Sequence, residues 1–221
     1  MLVITKCERP VTLIQRPGER LVSRLLVVKL GISTTPVREA LFRLASEQAL
    51  EVDRRNTIVV PVITAERYEE IRDLRIHLEG FAAGRAVGVV TASAIDGLAA
   101  LHAKHVAAEA AGDLGDALEY NERFHFGLCQ LAGLTMVTKM VEMLWLQCGP
   151  LLYLIYDGSA SIWSNQLHPH LRVIDGLRRG DAQVVRNAIA TDISEGAPQI
   201  MNRLRAMRRL DEHEPARRTL P

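Results

Sequence analysis

The sequence predicts a mainly α-helical protein in two parts: a small N-terminal unit of two helices and a β-hairpin, then an all-α bundle of six or seven helices. Three observations carry this. Among 221 residues, 48% are hydrophobic but only 5% are aromatic, a balance that favours helices over a sandwich or barrel of aromatic and β-branched strands. From Thr64 onward, amphipathic stretches are separated by Gly112-Asp113, Gly133, Asp157-Gly158 and Gly180-Asp181, which are helix stops followed by helix starts. Two short β-prone runs, 50–52 and 57–62, flank Asp53-Arg54-Arg55-Asn56 and read as one small hairpin with a basic tip.

Taken in order, Pro17-Gly18 is a turn, and Leu21, Leu25, Leu26, Val28 and Leu30 give a short helix that Gly31 stops. Ser33 is the N-cap of a second helix, in which Pro36 is tolerated because first-turn amides have no intrahelical partner. Val37, Ala40, Leu41 and Leu44 then share a core face, leaving Thr34, Thr35, Arg38 and Arg43 for other faces. Two helices around a glycine turn, followed by a hairpin, make a winged helix-turn-helix. The bundle opens at Thr64-Ala65-Glu66-Arg67, with Tyr68, Ile71, Leu74, Leu78 and Phe81 as the apolar positions of its first helix. Further helices are expected at 92–111, 114–132, 135–155, 161–179 and 182–208. The domains are therefore 1–63, 64–210 and a mobile, charged tail at 211–221.

Several classes are excluded. The most apolar window, 140–156, is interrupted by Glu142, Gln147 and Pro150, and falls short of the roughly 20 apolar residues of a membrane helix. The N-terminus MLVITKCERP does not read as a secretory signal, so a cytoplasmic protein is expected. Cys7, Cys129 and Cys148 are too few and too widely spaced for a disulfide framework or a zinc knuckle. Residues 1–63 hold ten Lys/Arg against six Asp/Glu, a balance of +4, whereas the whole chain carries only +1. A basic head on a mildly acidic body points to a polyanionic partner for the head.

Pro17-Gly18-Glu19-Arg20-Leu21 and Gly31-Ile32-Ser33-Thr34-Thr35-Pro36-Val37-Arg38-Glu39-Ala40-Leu41-Phe42-Arg43-Leu44 together resemble the winged-helix signature of GntR-family transcription regulators. The remainder is similar to the FCD effector domain of the FadR subfamily, through Leu74-Arg75-Ile76-His77-Leu78-Glu79, Asn121-Glu122-Arg123-Phe124-His125 and the segment from His170 to Asp181. The chain departs from that pattern at Thr34, where the family usually has Arg, and at Gln48 and Asn56-Thr57, where it usually has Gly. A left-handed residue would be required near each lost glycine. The family's first helix is also interrupted, by Pro10.

The resemblance implies a double-stranded DNA operator, read as a palindrome by a homodimer. Arg38 is the candidate for bridging the two acceptors of guanine in the major groove; its alternative is a solvated pair with Glu39 or Glu19. The resemblance also assigns DNA contact to Arg24; Ser33, Thr34 and Thr35 are candidates for phosphate contact, and Arg54 and Arg55 for the wing. Arg43, out of phase with Arg38, reads as structural.

Within the helical domain the resemblance implies a divalent metal held by Asn121, His125, His170 and Asp192. Asn121 and His125 are four apart and project from one helix face. Two imidazoles, a carboxylate and an amide oxygen suit zinc, nickel or manganese. Buried, hydrogen-bonded histidines are the alternative. Arg75 matches a family arginine that faces the effector, implying a small organic acid as ligand, but it also stands four before Glu79 and could pair with it. His168 competes with His170 as the ligand, while His102 and His105 read as a solvated face. No catalytic residue is assigned. Glu122-x-x-His125 is only half of a dinuclear-metal pattern, and no G-x-S-x-G, H-E-x-x-H or phosphate-loop motif occurs. A metal-binding helical enzyme and a protein-interaction module without DNA binding remain the alternatives.

Overall fold

The computed structural model describes residues 2–6, 9–13, 18–54, 57–152, 154 and 168–213. The chain divides into two compact units, residues 1–63 with 145–150, and residues 64–144 with 151–221.

In the first unit, β1 (Leu2–Lys6) and β2 (Arg9–Leu13) form an antiparallel hairpin with Thr5 opposite Pro10. It stands where the family resemblance calls for a helix. A proline inside a short helix removes a backbone donor and clashes with the preceding turn, and the segment pairs as strands instead. Next come α1 (Ser23–Leu30) and α2 (Thr34–Ser46). The first begins two residues later than the sequence suggests because the Leu21 amide donates to the Ile58 carbonyl at 2.8 Å and belongs to the wing. Gly31 ends α1 at φ +63° and its amide returns to the Val27 carbonyl at 2.9 Å. This left-handed step is cheap only for glycine and redirects the chain into α2.

The wing pairs β3 (Glu51–Val52) with β4 (Ile58–Val59). The expected strand residues 60–62 lie beyond that ladder, but Val60 bonds across to Gly18 and Glu19. Asp53 closes the base of the tip: its amide donates to the Thr57 carbonyl at 2.8 Å, and its Oδ1 accepts the Thr57 amide at 2.8 Å. Leu21, Leu26, Val37, Leu41 and Leu50 form the core of the unit. Gln48 takes φ +58°, so at the end of α2 the left-handed conformation is kept although the glycine is gone.

The second unit contains α3 (Ala65–Ala86), α4 (Ala92–Ala111), α5 (Leu114–Leu131), α7 (Pro169–Arg179), α8 (Ala182–Glu195) and α9 (Ala197–His213), while α6 (Thr135–Leu152) spans the division. Thr64, Thr91, Asp113, His168 and Asp181 cap their helices by accepting first-turn amides. Three expectations need correction. The single helix 182–208 is broken at Gly196, because Pro198 has no amide to continue the ladder and sits in the first turn of α9. That last helix runs to His213, so 211–213 are helical; residues 214–221 lie outside the described residues, as do 155–167, where the helix before Pro169 was expected to begin. On α3, Leu74 and Phe81 are exposed, and the buried face is instead Tyr68, Ile71, Arg75, Glu79, Ala82, Ala83 and Ala86.

The core of this unit joins Ala83 and Ala86 of α3 to Ile95, Leu98, Phe124, Leu128, Val173, Ile174, Leu177, Val185 and Ile189. Gly176 allows α7 and α8 to approach closely: a Cβ there would lie 2.7 Å from Val185 Cγ2 and 3.3 Å from its backbone nitrogen. Cys129 and Cys148 are buried and form no disulfide among the described residues. Among the described residues no helix is long and apolar enough to cross a membrane.

Candidate nucleic-acid interface and buried polar site

On the helix-turn-helix, Val37 and Leu41 of α2 are buried, which turns Thr34, Thr35 and Arg38 outward. Ser33, Arg24 and Arg54 are exposed as well; Arg55 and Asn56 lie outside the described residues. Ser33 occupies the N-cap position without making a side-chain cap bond, so its hydroxyl is available to an external acceptor. Among the described residues Arg38 has no salt bridge, and neither Glu39 nor Glu19 takes it. By contrast, Arg43 Nε donates to Glu47 Oε1 at 2.9 Å. The helix start thus presents hydroxyls, first-turn amides and a guanidinium on one exposed edge, as phosphate and base contact require.

The polar chemistry of the helical unit is buried. On α3, Arg75 Nε donates to Glu79 Oε1 at 2.7 Å, and both side chains are at most 5% exposed. The other oxygen, Glu79 Oε2, accepts from His125 Nδ1 on α5 at 2.6 Å. On its far side His125 Nε2 lies 2.9 Å from Asp192 Oδ2 on α8, and Asp192 Oδ1 lies 3.7 Å from His170 Nε2 on α7. Phe124 stacks on the His170 ring at 3.8 Å between centroids, fixing its plane. The chain Arg75, Glu79, His125, Asp192, His170 therefore links four helices.

Charge alternates along it. Burial alone would raise Glu79, but Arg75 and His125 hold it down at about 2. Burial alone would lower His125, yet Glu79 and Asp192 lift it to about 9. Asp192 is held well below the usual carboxylate range by His170 and His125 against its own burial. His170 goes the other way, pushed down to about 4 chiefly by burial.

His125, His170 and Asp192 place one ligand atom each within 4.8 Å of one another, and Asn121 stands one turn before His125 on α5, half-buried. His170 is completely buried, and among the described residues neither ring nitrogen has a hydrogen-bond partner. Burying an imidazole with both nitrogens unsatisfied is costly, and an ion beside Asp192 would satisfy Nε2, so the residues present fit a divalent metal. Arg75, assigned to an effector, is engaged with Glu79, the i,i+4 pair the sequence also allowed. Sequence reasoning missed Glu79 as the orienting partner of His125. It also misplaced His102 and His105, which are 7% and 1% exposed. They fall in register with Ile95, Leu98 and Ala108, the buried stripe of α4, and that register was the available signal.

Comparison with known proteins agrees with this architecture. Residues 12–60 match the bacterial regulatory proteins of the gntR family, and residues 70–195 match the FCD domain. The HTH-type transcriptional regulator McbR of Escherichia coli K12 is 31% identical over 179 residues, covering 79% of this chain and 80% of McbR. The HTH-type transcriptional repressor RspR of the same organism is 27% identical over 188 residues, covering 83% of this chain and 82% of RspR. The solved structure of E. coli McbR/YncC superposes with a TM-score of 0.76 at 28% identity, covering 87% of this chain and 90% of that one.

Proposed function

The chain belongs to the GntR family of bacterial regulators and carries an FCD domain, and on that premise we propose how its residues divide the work. It is a transcriptional regulator with a DNA-binding helix-turn-helix and an effector-binding FCD domain. Its relatives are transcription regulators, which points away from an enzyme.

Residues 1–63 form the DNA-binding domain in this proposal, and residues 64–210 bind the effector and dimerise. Arg38 reads guanine in the major groove. Arg24, Ser33, Thr34 and Thr35 hold phosphates, and Arg54 and Arg55 carry the wing. The exposure of Arg38 without a partner among the described residues supports that role. A head of modest charge binds weakly alone, and two heads on a palindrome multiply the contact. The working species is therefore a homodimer, and sedimentation showing only monomer with and without DNA would contradict this.

His125, His170, Asp192 and Asn121 hold a divalent ion, zinc, nickel or manganese, which when bound supplies a Lewis-acidic centre for a carboxylate effector. The observation that carries this is the buried His170 ring with both nitrogens unsatisfied beside Asp192. Glu79 orients His125 through Nδ1, the arrangement in which a carboxylate fixes the ring of a ligating histidine. Arg75 keeps Glu79 ionised and adds positive charge to the surroundings of an anionic effector. The effector acts by binding the DNA-competent and DNA-incompetent states unequally.

Selection of bound DNA from a random pool, with wild type and with Arg38→Ala, tests the reading. A palindrome enriched by the wild type and lost in the variant is expected; no enrichment by folded wild-type protein overturns it.

A further inference from the structure

Next to the His125, His170 and Asp192 group lies a second cluster that shares His170 with it and whose other members this function leaves unused. His102 and His105 on α4 and His168 and His170 at the head of α7 converge in the interior, all at most 7% exposed. Ring centroids are 4.9 Å apart for His102 and His168, 5.5 Å for His102 and His170, and 4.4 Å for His168 and His170. Four buried imidazoles are a poor way to fill a core, since each brings at least one polar nitrogen that needs a partner; the nearby carboxylates are Glu109, 3.6 Å from His105 Nε2, and Asp192, 3.7 Å from His170 Nε2.

The nitrogens differ in what they are free to do. His105 is committed: Nδ1 donates to the Ala117 carbonyl at 2.9 Å. Among the described residues Nδ1 of His102 has no hydrogen-bond partner, and neither has Nδ1 of His170. The other nitrogen of His170, Nε2, is the one facing Asp192. Because the two lone-pair directions of an imidazole diverge, Nδ1 is the atom left for the His102 side. His102, His168 and His170 each offer a ligand atom, all within 4.8 Å of one another. Bonds of about 2.0 to 2.1 Å to zinc need the nitrogens closer, which small ring rotations supply.

We propose that His102, His168 and His170 form a second, all-imidazole metal site that uses Nδ1 of His170 and takes zinc or another nitrogen-preferring ion in place of the ion at His125 and Asp192. Its surroundings support it. With an ion on Nδ1, the His170 proton resides on Nε2 and points at Asp192 Oδ1, so the carboxylate of the first set becomes the orienting partner of the second. The sites exclude each other, because one neutral His170 donates a lone pair through Nδ1 or Nε2 but not both. They also sort ions by donor. Three imidazoles select zinc, copper or nickel, whereas the set containing Asp192 and Asn121 accepts the oxygen-preferring manganese. Ligation by His168 exchanges one bond for another, since its Nδ1 accepts the His170 amide at 3.1 Å and caps α7. Binding through Nδ1 takes that lone pair directly, and binding through Nε2 moves the proton onto it.

The test is calorimetric titration of the full, metal-stripped chain with zinc and with manganese, on wild type, H125Q, H102Q and H125Q/H102Q, each checked for folding by circular dichroism. One zinc per chain is expected for wild type. H125Q loses manganese but holds zinc within about tenfold of wild type; H102Q keeps manganese; the double variant loses zinc at least a hundredfold. A folded H125Q that binds no zinc overturns the proposal, as does a double variant equal to H125Q or two zinc ions per chain. H168N needs no change at His125 and keeps a good N-cap on α7. It is expected to reduce the preference for zinc over manganese at least tenfold, and an unchanged ratio counts against the site. Manganese binding by wild type tests the first set and zinc binding by H125Q tests the second, so the two readings fail separately.

Discussion

The two units of this protein carry their chemistry in opposite places. In the head, a core of five aliphatic residues holds two helices and a wing, and every described residue assigned to DNA is exposed. In the helical unit the interior holds an arginine, two carboxylates and five histidines on five helices. The contrast follows from the partners. DNA is larger than the head and must be met from outside, where screening by water keeps each contact weak and the sum matters. A small ion or acid is enclosed, and low polarity makes each group expensive to leave unmatched. A substitution in the head should therefore change binding with little effect on folding, and one in the helical unit should change both.

The largest expected effect is in the buried chain. Glu79→Ala removes the carboxylate between Arg75 and His125 and should destabilise the metal-free protein by roughly 3 to 5 kcal/mol, as breaking a buried ion pair does. Denaturant unfolding checks this, and a loss below about 1 kcal/mol would show that the interior is solvated.

Next in size is a pH profile, on the order of a few kcal/mol. His125 is raised to about 9 from an unfolded value near 6.5, so its contribution is fully present below pH 6.5 and is lost as pH rises toward 9. His170 and His168 are lowered to about 4 and about 2, so the unfolded chain takes up their protons first and stability falls as pH drops below 6.5. Glu79, lowered to about 2, adds a loss as pH falls from 4.5 toward 2. The metal-free chain should be most stable between about pH 6 and 7. Unfolding free energies that stay level from pH 5 to pH 9 would contradict the buried charge pattern.

In the head, Arg38→Ala should cost roughly 1 to 3 kcal/mol of operator affinity per half-site, with the melting temperature unchanged. A variant that melts early would mean that Arg38 supports the fold, and the contrast between the units would weaken. Smallest is Gln48→Gly, which relieves a left-handed side chain at φ +58° and should stabilise the head by about 1 kcal/mol.

Legibility from sequence divides along the same line. The head could be read because its signals are local: Gly31 for the turn, Ser33 and Pro36 for the helix start, and three-and-four spacing for the core. Pro10 marked the interrupted helix, but which strands would replace it depends on pairing partners along the chain. In the helical unit, the His125, His170 and Asp192 group came from resemblance, and the structure brings those three residues together. The role of Glu79 was hidden because its partner His125 lies 46 residues away. His102 and His105 looked solvated in an alanine-rich stretch, although they continue the stripe of Ile95, Leu98 and Ala108. The break at Gly196 was written locally, in Gly196-Ala197-Pro198, and was overrun by the apolar periodicity on both sides.

The central claim is that the buried group at His125 and Asp192 controls what the exposed edge at Arg38 does. The direct measurement is operator affinity with manganese and a panel of di- and tricarboxylates, in wild type and in H125Q. At least one acid should shift wild-type affinity by roughly five- to 150-fold and leave H125Q unmoved. A panel without effect on manganese-loaded wild type, or an acid that shifts H125Q equally, would contradict it.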